Sequence, residues 1–262
     1  MALKKYNLRR KLPLNIFVIN LDSSKDRLEH ISSETDRLKL EFTRISAVNG
    51  SLLDAASLSK HYNYSLNRKI YRRPLSLGEI GCYMSHIKCW EKIIRDDLSM
   101  ALILEDDAEL DDHLEVVLTE IENLSESWDI IKLCDPPKKK KHFVLDRLSE
   151  HFYLCRYRKI PSRATGYLVS QEGALKLVEA RSFFGRPVDD DMQFYWEFNG
   201  RVLGVEPSVI WCSPASITSD IDGISNRRNT KTIISQLNAP LLRFIYELKL
   251  NYYNWTTKQT KY

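Results

Sequence analysis

Two groups of adjacent carboxylates are the residues of this chain best placed to do chemistry: Glu105-Asp106-Asp107 and Asp189-Asp190-Asp191. Neighbouring carboxylates repel one another, so each group needs a cation, hydrogen-bond donors or solvent to balance it. Glu105-Asp106-Asp107 follows directly on Ala101-Leu102-Ile103-Leu104, the most strand-like tetrapeptide in the sequence. In open α/β sheets ligands bind beyond the carboxyl ends of the strands. Carboxylates there suit a hard divalent ion such as Mg²⁺ or Mn²⁺, which takes one or two protein oxygens and completes its shell with phosphate and water. Side chains two apart in extended backbone point the same way. Glu105 and Asp107 are therefore expected to face one site, with Asp106 pointing elsewhere. The competing reading is a helix N-terminus decorated with acids, as Asp111 and Asp112 are read. The second group precedes Phe194, Tyr195 and Trp196, where a plain helix cap is the alternative to a functional role.

Positioning these groups requires a scaffold, and strand and helix signals alternate along the chain. Ile16-Phe17-Val18-Ile19 reads as a buried strand. A helix starts at 23–26, with Leu28, Ile31, Thr35 and Leu38 at helical spacing. A strand over 42–48 closes at the turn Asn49-Gly50. Ser76-Leu77-Gly78-Glu79 opens a helix to about Arg95. Then come a strand at 101–104, a helix at 114–124, strands at 129–133, 152–158 and 165–170, a helix at 172–180, a strand at 201–209 and a helix at 240–252. Residues 51–73 show no clear period, and Pro136-Pro137 with Lys138 to Lys141 reads as an exposed loop. This order specifies an α/β domain with a mostly parallel central sheet. The expected division is a catalytic domain over 1–212 and a helical, basic C-terminal extension over 213–262, packed on the same domain.

Composition excludes several classes. The chain has 262 residues, 43% of them hydrophobic, with 9 Gly and 9 Pro, which rules out disorder and collagen-like repeats. The net charge of +4 is too small to argue for nucleic acid. Its distribution is more telling. Residues 105–129 hold 11 acids and no Lys or Arg, whereas 138–163 and 220–262 are basic. The five cysteines are widely spaced without a Cys-x-x-Cys pair, as buried free thiols in a reducing compartment would be. The apolar run 12–21 contains Pro13 and Asn15 and is followed by no small-residue cleavage site, so it reads as a core strand rather than a secretory leader. No run of 18 apolar residues occurs. The glycine loops of dinucleotide and P-loop enzymes are absent from the sequence. A cytoplasmic protein is expected. The helix carrying Leu241, Phe244, Ile245 and Leu248 with Arg243 and Lys249 is suited to lie on an anionic membrane surface.

Four blocks carry a family resemblance. They are Phe17-Val18-Ile19-Asn20-Leu21-Asp22 with Asp26-Arg27; Ile45 to Gly50; Leu77-Gly78-Glu79-Ile80-Gly81-Cys82-Tyr83-Met84-Ser85-His86 running through Trp90 to Glu105-Asp106-Asp107; and Ala164 to Ser170 with Glu172-Gly173-Ala174 and Pro187-Val188-Asp189-Asp190. Over roughly residues 14 to 212 the chain resembles glycosyltransferase family 25, the lipooligosaccharide and lipopolysaccharide glycosyltransferases of Gram-negative bacteria. It departs mildly from the family pattern around Asp22-Ser23-Ser24-Lys25 and at Asn49.

The resemblance implies a GT-A type nucleotide-sugar-binding fold, a Mn²⁺-type metal and inversion at the anomeric carbon. It implies a UDP-sugar donor, with galactose favoured and glucose the alternative, and a lipooligosaccharide acceptor. Asp107, helped by Glu105, is assigned to the metal. Asn20, Asp22, Arg27, Gly78, His86, Glu105 and Asp106 are assigned to the donor. Asp189 or Asp190 is the base or contacts the donor sugar, with Asp189 preferred. Gly78 and Gly81 are expected to allow close backbone approach at a helix start. A glycosidase with two carboxylates and a glycan-binding module without catalysis are the rival readings.

Overall fold

The structure is a computed structural model; it describes residues 14–134, 140–213 and 233–256, with side chains in the last segment from 240 onward. The strands are β1 (Asn15–Asn20), β2 (Thr43–Ser46), β3 (Met100–Glu105), β4 (Ala108–Leu110), β5 (Ile130–Lys132), β6 (His142–Arg147), β7 (Tyr153–Tyr157), β8 (Gly166–Ser170), β9 (Val202–Glu206) and β10 (Ile210–Cys212). The helices are α1 (Lys25–Arg37), α2 (Ala55–Ser59), α3 (Tyr64–Ile70), α4 (Leu77–Arg95), α5 (Leu114–Glu122), α6 (Gln171–Ala180), α7 (Val188–Asp191) and α8 (Ile233–Thr256).

Eight strands form one sheet in the order β2-β1-β3-β8-β5-β9-β7-β6, and β4 pairs with β10 in a separate ladder. The pairings make β1, β2, β3, β5, β6 and β9 point one way and β7 and β8 the other. The mostly parallel α/β expectation therefore holds in strand direction. β8 and β7 are the departures: β8 enters antiparallel between β3 and β5, and β7 between β9 and β6. Helices cover both faces, so strand residues are buried alternately into two cores. Phe17, Ile19, Ala101 and Ile103 join the core under α4. Ile16, Val18, Leu102 and Leu104 join the one under α5. Burial on both faces explains why these strands read as continuous apolar runs.

α4 is the central support of the site. Ser76 and Glu79 form a complete capping box at its start, and Arg73 holds Glu79 through two contacts of 2.6 and 2.7 Å. The turn after β2 presses directly onto this helix. A Cβ on Gly50 would lie 1.7 Å from the Leu77 carbonyl oxygen, and one on Gly81 would lie 2.4 Å from that of Val48. The Ser85 hydroxyl also accepts from the Val48 N–H at 2.8 Å. Only glycine fits such backbone contact. Gly78 is different: it is exposed, and its nearest neighbour would be Ser76 Oγ at 3.9 Å. The close approach expected at both glycines occurs at Gly81 alone.

The helix expected over 240–252 extends over Ile233–Thr256 with Pro240 inside it. Its Tyr246 and Leu250 are buried in the α4-side core, and Tyr253 stacks on Trp196 at 5.2 Å. Residues 136–139 of the expected basic loop and 214–232 of the extension lie outside the described residues.

Candidate active site

The carboxyl ends of β1, β2, β3 and β5 lie along one edge of the sheet. The chain runs from β1 outward to β2 and returns to β3 on the other side of β1, so the β1/β3 crevice is a topological switch point, where open α/β sheets bind ligands. Asn20 ends β1, buried at 1% exposure. Its amide donates to Asp106 Oδ2 at 2.8 Å and to the Ser24 carbonyl at 2.9 Å. Its oxygen accepts from Arg44 Nε at 3.0 Å. Arg44 also reaches Asp22 at 2.5 Å, and the Ser46 hydroxyl donates to Asp22 at 3.0 Å. From the first turn of α1, Arg27 lays its guanidinium across two carboxylates, 3.1 Å from Asp106 and 3.2 Å from Asp107. Burial raises the Asp106 carboxyl above its ordinary value despite Arg27 and Asn20. An open groove of about 540 Å³, lined by Asp22, Val48, Asn49, Leu53, His61 and Lys88, continues from this end of the sheet.

The other half of the edge lies under α4. Glu105, the last residue of β3, places one oxygen 3.4 Å from His86 Nε2, and the same oxygen accepts from the Cys82 thiol at 3.8 Å. His86 is fully buried, with Nδ1 2.7 Å from the Tyr167 hydroxyl, which also accepts from Trp90 Nε1 at 3.2 Å. Burial alone would raise the Glu105 carboxyl. The contact with His86 and the positive charges of Arg27 and Lys132 outweigh it and hold the group below the ordinary glutamate value. Asp189 and Asp190, in α7, close this side. Asp189 accepts from the Arg163 N–H at 3.5 Å, and Asp190 accepts from the Tyr71 hydroxyl at 2.9 Å. Burial, then the charges of Asp190 and Glu105, push the Asp189 carboxyl above its ordinary value.

The structure divides the two carboxylate groups differently from the sequence expectation. Asp106 and Asp107 share Arg27, while Glu105 turns to His86. The two-residue alternation fails because β3 ends at Glu105 and the chain turns through 106–107 into β4. Glu105 keeps the parity of Ala101 and Ile103 and points to the α4 side; Asp107 no longer follows it. In the second group Asp191 separates from its neighbours. It is buried, accepting from Tyr83 at 2.6 Å, Arg186 at 2.7 Å and Arg181 at 2.8 Å.

Asn20, Asp22, Arg27, Asp106 and Asp107 are thus brought into one network, and His86 and Glu105 pair beside it, with Asp189 near enough to feel the charge of Glu105. Gly78 stays outside both. Sequence reasoning missed Lys132, which ends β5 at 0% exposure. Its ammonium donates to the Arg163 carbonyl and lies 5.5 Å from the Tyr167 ring centre. Arg163 itself has a φ of 80°, a strained value for a non-glycine residue. A lone lysine directly after two buried isoleucines was the available signal. Tyr71, Arg44 and Ser46 were also missed, and nothing in their local sequence marks them.

Asp106 and Asp107 offer hard carboxylate oxygens on one side of a turn, already gathered around a cation. That donor chemistry fits Mg²⁺ or Mn²⁺. Glu105, with a thiol and an imidazole beside it, is a softer environment.

Carboxylates and an arginine gather at the switch point of the α/β sheet, where open sheets of this kind bind ligands. Comparison with known proteins is consistent with this. The profile of glycosyltransferase family 25 (LPS biosynthesis protein) matches residues 14–192, and the chain belongs to that family. It is 26% identical over 235 residues to procollagen galactosyltransferase 1-B of Xenopus laevis, covering 80% of this chain and 37% of that one. It is 30% identical over 192 residues to procollagen galactosyltransferase 2 of Mus musculus, covering 67% and 29%. A putative glycosyltransferase of Haemophilus influenzae is 29% identical over 167 residues, covering 62% and 56%. The chain spans about a third of the length of the procollagen relatives.

Proposed function

We propose that this chain is an inverting, metal-dependent hexosyltransferase that moves a sugar from a UDP donor to a lipooligosaccharide acceptor, with galactose as the favoured sugar. The observation that carries the reading is the gathering, at one sheet edge, of the Asn20–Arg27–Asp106–Asp107 network and the Glu105–His86 pair, with Asp189 near enough to feel the charge of Glu105. Galactose is favoured over glucose because the relatives of this chain include galactosyltransferases; UDP-glucose remains the alternative donor.

In this reading the donor diphosphate lies at the β1/β3 crevice, and the nucleoside extends along the groove beside Asp22. Arg27 meets phosphate charge. Asp107, with Asp106, would hold Mn²⁺ or Mg²⁺, which supplies positive charge for the departing diphosphate. Glu105, fixed by His86, receives sugar hydroxyls. Asp189 takes the proton of the acceptor hydroxyl as that oxygen attacks the anomeric carbon and UDP leaves on the opposite face. Its raised proton affinity makes it a better base than an ordinary aspartate.

Among the described residues no helix is long and apolar enough to cross a membrane. α8 exposes Leu241, Phe244, Leu248, Tyr252 and Trp255 along one stripe while its other side packs on the core. That stripe, with Arg243 and Lys249, supports peripheral docking on the anionic inner face of the bacterial inner membrane. Vesicle flotation tests this: Phe244→Asp with Leu248→Asp should release the protein from anionic vesicles, and retained flotation refutes the docking.

The transfer reading is tested by incubating the protein with a panel of UDP-sugars, Mn²⁺ and truncated lipooligosaccharide, reading UDP release and product mass. UDP-galactose should give UDP and an acceptor heavier by one hexose. Glycan binding without UDP release from any donor would replace the transferase with a binding module.

A further inference from the structure

The cluster of Cys82, His86 and Glu105 has no place in the hard-ion chemistry of Asp106 and Asp107, yet it has the composition of a transition-metal site. Cys82 and His86 are four apart on α4 and so share one helix face. Glu105 meets them from the end of β3. One donor atom from each, Sγ, a ring nitrogen and a carboxylate oxygen, lie within 4.8 Å of one another. Zinc ligands at about 2.0–2.3 Å from the ion stand somewhat closer together than that, a contraction that side-chain rotation can supply.

Two further features belong to a metal centre rather than to a chance contact. First, the ring of His86 is held from behind. The Tyr167 hydroxyl at Nδ1, itself receiving the Trp90 N–H, leaves Nε2 as the nitrogen directed at Glu105. The hydroxyl oxygen has room to accept from both Nδ1–H and Trp90, which is the arrangement that frees the Nε2 lone pair for a metal. Second, the cluster is closed on the protein side and open on one other. His86 is fully buried, whereas the Glu105 side chain keeps 27% exposure. Three protein ligands and one open position are the pattern of a non-structural zinc site. The charges facing Glu105 from neighbouring elements, Lys132 and Asp189, oppose each other.

We propose that Cys82, His86 and Glu105 form a zinc site, with the fourth position open to the cleft. Thiolate, imidazole and carboxylate together favour Zn²⁺ over Mg²⁺ or Mn²⁺. Binding displaces the thiol proton to solvent and joins α4 to the end of β3. It also engages the carboxylate that the transferase reading gives to sugar hydroxyls. Excess Zn²⁺ is therefore expected to compete with donor binding, whereas Mn²⁺ is not. The site stands on its own ligands and does not require that the chain transfer sugar.

The test uses the full chain with Co²⁺ as a spectroscopic substitute and Zn²⁺ in calorimetry. One Co²⁺ per chain should bind with a thiolate-to-metal charge-transfer band in the near ultraviolet, and one Zn²⁺ should displace it. Cys82→Ser, a near-isosteric change, should abolish the band and weaken Zn²⁺ by more than the roughly 10–100-fold typical of losing a supporting group. Tyr167→Phe should weaken it by about that supporting amount. Asp107→Asn should leave the band intact, separating this site from the hard-ion pair. Cys212→Ser controls for the thiol lying 3.4 Å from Asp107. Absence of the band in the unaltered protein, or its survival in Cys82→Ser protein shown to be folded by circular dichroism, overturns the proposal.

Discussion

Replacing Asp189, Asp190 and Asp191 by asparagine one at a time separates two roles that adjoin in sequence. Asp191 is buried at 4% exposure and accepts three hydrogen bonds, from Tyr83, Arg181 and Arg186. Both arginines are also buried, and their other carboxylate is Glu197, 2.8 Å from Arg186 and 3.2 Å from Arg181. Asp191→Asn leaves two buried guanidinium groups sharing one carboxylate. Removing one partner from such a network costs about 3–5 kcal/mol, a large part of a total stability of roughly 5–15 kcal/mol. With a urea dependence of about 3 kcal/mol per molar, the midpoint should fall by at least about 1 M. Asp189→Asn should behave oppositely. The pKa of Asp189 lies above its ordinary value, so the folded state bears a cost for its charge once the pH exceeds the unfolded value. The neutral amide removes that cost, and the midpoint near neutral pH should equal or exceed that of the unaltered protein, an advantage that vanishes in acid. Asp190→Asn gives up the charged partner of Tyr71 and should cost at most about 1–2 kcal/mol. Urea melts read by tryptophan fluorescence, with UDP release measured on the same samples, decide the matter. Asp189→Asn should stay folded and lose transfer. An Asp191→Asn midpoint equal to that of the unaltered protein, or an Asp189→Asn loss as large as that expected for Asp191→Asn, would refute the division.

Three other outcomes are expected. The acid limb of kcat/KM against pH should lie above the ordinary aspartate value and move to lower pH in Asp190→Asn, because the neighbouring charge helps raise Asp189; an unmoved limb excludes Asp189 as the titrating base. Arg27→Met removes the cation bridging Asp106 and Asp107, so it should melt at lower temperature without divalent ions and gain more from Mn²⁺ than the unaltered protein does. Equal Mn²⁺-induced shifts would sever that pair from metal binding. Gly81→Ala places a methyl against the Val48 carbonyl and should cost about 1–3 kcal/mol or more by overpacking, whereas Gly78→Ala should be neutral or slightly stabilising in thermal melts.

Local signals carried much of the frame. The run at 16–19, the Ser76–Glu79 cap and the helix at 172–180 are each dictated by residues adjacent in sequence, and each appears where expected. β8 reads as a strand with equal clarity, but its antiparallel entry between β3 and β5 does not show in its own residues. Direction depends on where the preceding loop returns the chain, and that is a property of the whole sheet. The same limit applies to Lys132: its sequence position shows a lysine after a strand, whereas its burial under Arg163 and beside Tyr167 depends on segments some 30 residues away.

The acidic strand end shows how a correct local rule can assign the wrong partners. Alternation correctly sends Glu105 to the α4 side, along with Ala101 and Ile103. It misplaces Asp107 because it assumes that the strand continues. The strand stops because Ala108 to Leu110 pair with Ile210 to Cys212 and the Ser213 N–H donates to the Asp107 carbonyl at 2.8 Å. A contact about a hundred residues distant therefore folds the chain back at Asp106-Asp107. That turn sets two carboxylates against Arg27 and leaves the third with a thiol and an imidazole. What reads in sequence as one acidic triplet is divided in space between a pair held by Arg27 and a carboxylate beside a thiol and an imidazole, a division that the β4–β10 ladder creates.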